Sequence, residues 1–132
     1  MRLLNRGMAP KEQGAAAVEF ALVSAILFLL IFGIIEFGLY FSRREVYESA
    51  AREGARVAAV RGSEGDVKSR IIAAAEPYDI EGIDSLSVST PCTFANSGQP
   101  VTVSWQEPFN ISMPFVPGID VNARISAVFK CE

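Results

Sequence analysis

GAAAVEFALVSAILFLLIFGIIEFGLYF, running from Gly14 to Phe41, decides how this chain is built. From Ala15 onward it is apolar except for Ser24 and two carboxylates, Glu19 near one end and Glu36 near the other. At about 1.5 Å per residue a helix over residues 15–41 is about 40 Å long, enough to cross a hydrocarbon core of about 30 Å with some tilt. A cleaved secretory signal has a shorter apolar run, of about 7–15 residues, followed by small residues. Here Gly14, Ala15, Ala16 and Ala17 come first. The expectation is a transmembrane helix that stays in the mature protein.

In front of the span lies MRLLNRGMAPKEQG, residues 1–14, a short leader with Arg2, Arg6 and Lys11. Pro10 and Gly14 are expected to discourage the helix from extending into it. Arg43, Arg44, Arg52, Arg56 and Arg61 follow the span, so the bias of basic residues towards the cytoplasm does not orient it. Composition narrows the function. Half of the 132 residues are hydrophobic and mean hydropathy is +0.27, yet the excess sits in the span. A net charge of -3 gives no electrostatic reason to expect nucleic acid. With no histidine, the commonest general base, the commonest zinc ligand and every Ser-His or Cys-His nucleophile are missing. No cofactor or metal is expected, and a small membrane enzyme is the weakest of the readings.

Beyond the span the helix is expected to continue over residues 42–62 and to stop at Gly62. Ala51, Ala55, Ala58 and Gly62, flanked by Ala50 and Gly54, form a small-residue stripe. This stripe is read first as the seat of the chain's own sheet and second as a subunit interface. Glu48 with Arg52 and Glu53 with Arg56 have the spacing of surface ion pairs. Ser63 to Asp66 offers a cap for a second helix whose Val67, Ile71, Ile72 and Ala75 face one way until Pro77. Alternating segments Leu86–Thr90, Val101–Trp105 and Val121–Phe129 predict three or four antiparallel strands. Residues 63–132 thus form a small α+β domain on a long helix. Pro108 to Gly118 is unusually apolar for a connection, and is expected as a contact patch in preference to a segment tucked under the sheet. Asp79, Glu81 and Asp84 lack the spacing of a calcium loop. Cys92 and Cys131 have neither redox nor zinc spacing. A disulfide between them is the sharper reading, two buried thiols the blander one; the bridge would stabilise the domain by about 4 kcal/mol in the chain-entropy model.

Glu19 separates a plain anchor from something more specific. A carboxylate in an apolar helix costs about 2.5–3.5 kcal/mol at the membrane centre and less near the interface. It snorkels to the headgroups or it finds a partner. Gly14-Ala15-Ala16-Ala17-Val18-Glu19-Phe20, after a basic leader and before a long apolar helix, resembles the prepilin peptidase site of the type IV pilin superfamily. The resemblance implies a cut between Gly14 and Ala15 and makes Glu19 the fifth residue of the mature chain. The new ammonium at Ala15 and a neighbouring subunit's Glu19 could then pair, with Glu19 and Phe20 serving processing and assembly. The second pair, Glu36-Phe37, and the block Ala50-Ala51-Arg52-Glu53-Gly54-Ala55-Arg56 are similar to the TadE-like minor pseudopilins of Tad (Flp) pilus systems. Ser24-Ala25 departs mildly from that pattern.

The resemblance implies a pilin-like α+β layout and a substrate of prepilin peptidase, held in the bacterial inner membrane with the N-terminus cytoplasmic and the small domain outside. It implies other Tad pilins and pseudopilins and the pilus assembly platform as partners, in initiating, capping or assembling a pilus used for adhesion. Ala51, Gly54, Ala55 and Ala58, by helical periodicity, are the expected helix-packing positions. The alternative is a single-pass adaptor of an envelope complex that never enters a filament; such a protein has no need of a peptidase-ready GAAAVEF.

Overall fold

In the computed structural model, residues 10–113 and 116–132 are described. One helix, α1, runs unbroken from Pro10 to Ala59. Proline is tolerated at the first helical position because the amide it lacks would have no intrahelical partner there. Gly14 lies inside the helix. The expectation that Pro10 and Gly14 keep the leader out of the helix is therefore corrected for residues 10–14: apolar and alanine-rich sequence on the C-terminal side propagates the helix back to the proline. Residues 1–9 of the leader lie outside the described residues.

At its far end α1 closes three residues before the predicted glycine. The Gly62 amide donates to the Val57 carbonyl at 3.0 Å and the Arg61 amide to that of Ala58 at 3.2 Å. This pairing satisfies two orphan carbonyls of the last turn. Arg61, not a glycine, takes the left-handed conformation, with φ of 65°. Gly62 is needed for space: a Cβ there would lie 2.5 Å from Val57 Cγ1 and 2.8 Å from the Val57 carbonyl oxygen.

Helix α2, Glu64–Ala75, begins on a capping box. The Ser63 hydroxyl accepts from the Asp66 amide, and the Asp66 carboxylate accepts from the Ser63 amide. Val67, Ile71 and Ala75 are buried, whereas Ile72 is half exposed and leaves the predicted apolar face. Ile72 is one residue on from Ile71, and that rotation of about 100° turns it from the contact.

The sheet has three antiparallel strands in the order β1 (Ser87–Val88), β2 (Pro100–Met113) and β3 (Val116–Lys130). Strand β1 is shorter than predicted because Leu86 closes a 3-10 turn over Glu81–Ser85 and Pro91 follows close behind. Strands β2 and β3 are much longer than predicted. Their register runs from Pro100 opposite Lys130 to Ile111 opposite Ile119, with an irregularity before Met113 pairs with Val116. Residues 108–113 and 116–118 are therefore strand at one end of a hairpin and no connecting loop; residues 114 and 115 lie outside the described residues. Pro108 is tolerated because β1 pairs with β2 only at Val103 and Ser104, leaving β2 one-sided further along.

One core joins these pieces. Tyr47, Ala50, Ala51, Ala55, Ala58 and Ala59 of α1 are buried with Val67 and Ile71 of α2 and with Val101, Val103, Trp105 and Ile125 of the sheet. The upper part of α1 is thus a structural member of the α+β domain.

Candidate functional site

From Gly14 to Ile35 the surface of α1 is bare; the hairpin reaches the helix only from Glu36 and Tyr40 upward. Phe20 is 74% exposed and Ile34 73%, and the large side chains between them are exposed as well. The helix is long and apolar enough to cross a membrane, and its apolar stretch has no part buried within the chain, which is compatible with a single-pass anchor. Ser24 removes its own polarity by donating to the Ala21 carbonyl at 3.0 Å.

The singled-out residues of this stretch do not meet in one place. Gly14 and Ala15 are exposed near the start of the helix, and a Cβ added at Gly14 would touch nothing. Glu19 is exposed one turn on. The three ion pairs among the described residues, Arg44–Glu48, Lys68–Asp84 and Arg70–Glu53, leave it out. They also correct the predicted pairing. Glu48 is bound by Arg44 at 3.0 Å and Glu53 by Arg70 at 2.8 Å, so neither takes its partner from Arg52 or Arg56. Glu36 lies about 25 Å up the axis from Glu19. It is half-buried where the hairpin approaches α1, and lines a cavity of about 190 Å³ with Tyr40, Arg43, Phe109 and Asn110. Phe37 is half exposed.

Aromatic packing fixes that approach. The Phe109 ring sits 4.9 Å from Tyr40 and 5.9 Å from Tyr47. The Tyr47 hydroxyl donates to the Asp79 carbonyl at 2.8 Å, and burial, assisted by the nearby Glu107 carboxylate, pushes its ionisation up. Arg43 stacks over Tyr78 at 5.6 Å.

The small-residue stripe is filled from within the chain. Ala51, Ala55 and Ala58 are buried in the core, and a Cβ on Gly54 would lie 2.4 Å from Ile71 Cγ1. Gly54 therefore admits α2, where the chain's own sheet is the first expectation and a subunit interface the second. Cys92 and Cys131 are disulfide-bonded, with Cα atoms 5.4 Å apart. Beside the bridge, Arg61 donates to the Glu132 backbone oxygen at 2.7 Å and covers the Phe94 ring at 3.8 Å. Asp84 is paired with Lys68 at 2.7 Å.

Sequence reasoning missed Glu107, which is 1% exposed. Its carboxylate accepts from the Glu81 and Gly82 amides at 3.0 and 3.1 Å and from the Trp105 indole at 3.1 Å. Three N–H donors replace the water that a buried carboxylate loses. A signal was present: extending the alternation Val101, Val103, Trp105 by one step puts Glu107 on the inward face. Gly82 lets the 3-10 turn reach it, since a Cβ there would fall 1.6 Å from the Gln106 carbonyl oxygen.

The bare half of α1 and the start of its buried half are also what known proteins share with this chain. Residues 14–56 match the family model of the TadE-like protein. The matched segment is TadE-like from Gly14 through the Ala50–Arg56 block, less than half of the chain. It supports the resemblance read from GAAAVEF, Glu36-Phe37 and that block, and suggests involvement in Tad pilus assembly and association with its machinery at the membrane. No curated protein and no solved structure matches the chain.

Proposed function

We propose that this chain is a minor pseudopilin. Prepilin peptidase cuts it between Gly14 and Ala15, and it then joins other Tad pilins and pseudopilins at the assembly platform to initiate, cap or assemble a Tad pilus used in surface attachment. The chain sits in the inner membrane with its N-terminus cytoplasmic and its α+β domain outside, where a disulfide is stable. It works by assembly and not by catalysis.

The observation that carries this reading is that the fold has no internal use for Gly14 or Glu19, both within the TadE-like segment. A side chain at Gly14 would meet nothing, and Glu19 stands exposed on bare helix. A glycine that packing does not require, one turn before a carboxylate that no described residue neutralises, has the arrangement a peptidase and a docking partner would need. Gly14 lies in the second turn of the helix, where the amides before it lack intrahelical acceptors, so opening the backbone for cleavage disrupts few hydrogen bonds.

Two measurements test this. Intact-mass analysis of the mature protein should give a chain beginning at Ala15, and a retained leader would refute processing. Glu19→Gln should be cleaved and inserted yet fail to co-assemble. Removing one side of a buried pair costs about 3–5 kcal/mol, more than a hundredfold in association. Normal piliation by the Glu19→Gln protein would favour the adaptor reading.

A further inference from the structure

We propose that the turn-proximal part of the β2–β3 hairpin, residues 111–113 and 116–119, is a second lipid-contacting element, lying in the bilayer interface beside α1. The proposal rests on α1 spanning the membrane, and on how far the hairpin descends along it.

Strand β2 runs antiparallel to α1. Near its start, the Glu132 amide donates to Ala59 at the top of the helix, and Cys131 and Gln99 are joined by a backbone hydrogen bond. Further along, Phe109 packs between Tyr40 and Tyr47, and Asn110 to Ser112 border the same cavity as Glu36 and Leu39. A strand advances about 3.3 Å per residue against about 1.5 Å for a helix, so the four residues from Phe109 to Met113 cover about nine of α1. That brings the paired residues Met113 and Val116 level with about Ile34 or Ile35, inside the apolar run that ends at Phe41.

The chemistry of the hairpin changes at the same height. Its inward face on β3 is formed by Phe129, Ala127, Ile125, Ala123, Val121 and Ile119. Exposure is 0% at Ile125, where α1 covers the sheet, and 54% at Ile119. Ile119 faces Ile111 across the strands, on the side towards α1, and nothing in the chain covers it among the described residues. On the opposite face, Asn110 donates to Asp120 at 2.7 Å, and Asp120 is the lowest charge on the hairpin. The sequence carries no charge from Ile111 to Ile119. Apolar alternation thus continues beyond the protein's own core, at the level where the exposed apolar surface of α1 begins. Lipid, the medium that covers α1 there, covers both.

The test uses the full chain in vesicles whose lipids carry bromine on the acyl chains, with one tryptophan added at a time to the native Trp105, which is buried and supplies a constant background. Ile119→Trp should lose most of its added emission relative to unbrominated vesicles, and Pro117→Trp, two residues away and also exposed, should behave alike. Val128→Trp, about 30 Å higher on β3, should be unaffected. Unquenched emission at both 119 and 117, with Leu27→Trp quenched, would overturn the proposal while leaving the spanning helix intact. An unquenched Leu27→Trp would remove the spanning helix and the proposal together.

Discussion

Below Phe41, α1 carries its largest side chains outside, and above Tyr47 it carries its smallest ones inside. Phe20, Leu22, Ile26, Phe28 and Ile34 are exposed, while Ala50, Ala51, Ala55 and Ala58 are buried. In a water-soluble protein the large apolar residues would be the ones removed from solvent. The inversion shows that two environments selected one helix. The lower half was selected for transfer free energy, which favours bulk and tolerates any neighbour of similar polarity. The upper half was selected for fit, because α2 approaches its backbone closely enough that Gly54 has no room for a methyl group.

The comparison can be broken at its upper end by loosening what holds the small domain on the helix. Replacing Cys92 and Cys131 together by alanine should destabilise the domain by about 4 kcal/mol, because the bridge closes a loop with a separation of 39 residues. Chemical denaturation of the oxidised and variant proteins in detergent measures this, and a loss within error would mean that the core alone fixes the domain. Next in size is Glu107→Ala. It leaves the Glu81 and Gly82 amides and the Trp105 indole without their acceptor, and each such group costs about 1–3 kcal/mol when water does not replace the bond. A destabilisation of about 3 kcal/mol is expected, with smaller damage from Glu107→Gln, which keeps one acceptor oxygen. A stable Glu107→Ala protein would show that water reaches the site.

How much of this was legible from residues follows the same division. The lower helix was readable because hydropathy is a property of composition and needs no knowledge of contacts. The cap at Ser63 and Asp66 was readable because capping is local in sequence. Local propensity shortens the hairpin because Pro108, Asn110, Pro117 and Gly118 are breakers, and cross-strand pairing with packing on Tyr40 and Tyr47 overrides it. Glu53 escapes for a similar reason, since Arg70 reaches it from another helix and spacing within one helix cannot reveal that; Glu48 has arginines four residues away on both sides, Arg44 and Arg52, and spacing alone does not choose between them. Gly14 and Glu19 were legible only as a pattern, since their surroundings in the chain are empty.

A paired substitution sharpens the contrast between the halves directly. Ala55→Leu adds bulk where α1 meets the rest of the core and should cost about 1–3 kcal/mol through overpacking. Ile34→Ala removes a large side chain that is 73% exposed, and should leave the unfolding midpoint of the small domain unchanged in detergent. The two substitutions move side-chain volume in opposite directions, and only the one that spoils the fit should register. A destabilising Ile34→Ala would mean that the lower helix packs on the domain in a way the structure does not contain.

The smallest expected effect is electrostatic, and it too belongs to the upper region. A hydrogen bond from Arg70 holds the Glu53 carboxyl below its usual value of 4.5, and one from Lys68 does the same for Asp84 relative to 3.8. The Ser63 hydroxyl, with the Ser63 amide, lowers Asp66. Each folded pKa is depressed, so each contribution is complete above the unfolded pKa and is lost as pH falls through the folded one. The domain's unfolding midpoint should therefore drop as pH is lowered below about 4.5, by a small amount because all three groups are solvent-exposed. The double variant Glu53→Gln with Asp84→Asn should be less stable than the parent at neutral pH and should converge on it in acid. Added salt should shrink the difference for the two ion pairs and spare the Ser63 cap, whose hydrogen bonds are not between opposite charges. If the difference between parent and double variant instead persists unchanged into acid, the two pairs do not contribute to stability through their charge, and α2 is held on α1 by Val67, Ile71 and the space at Gly54 alone.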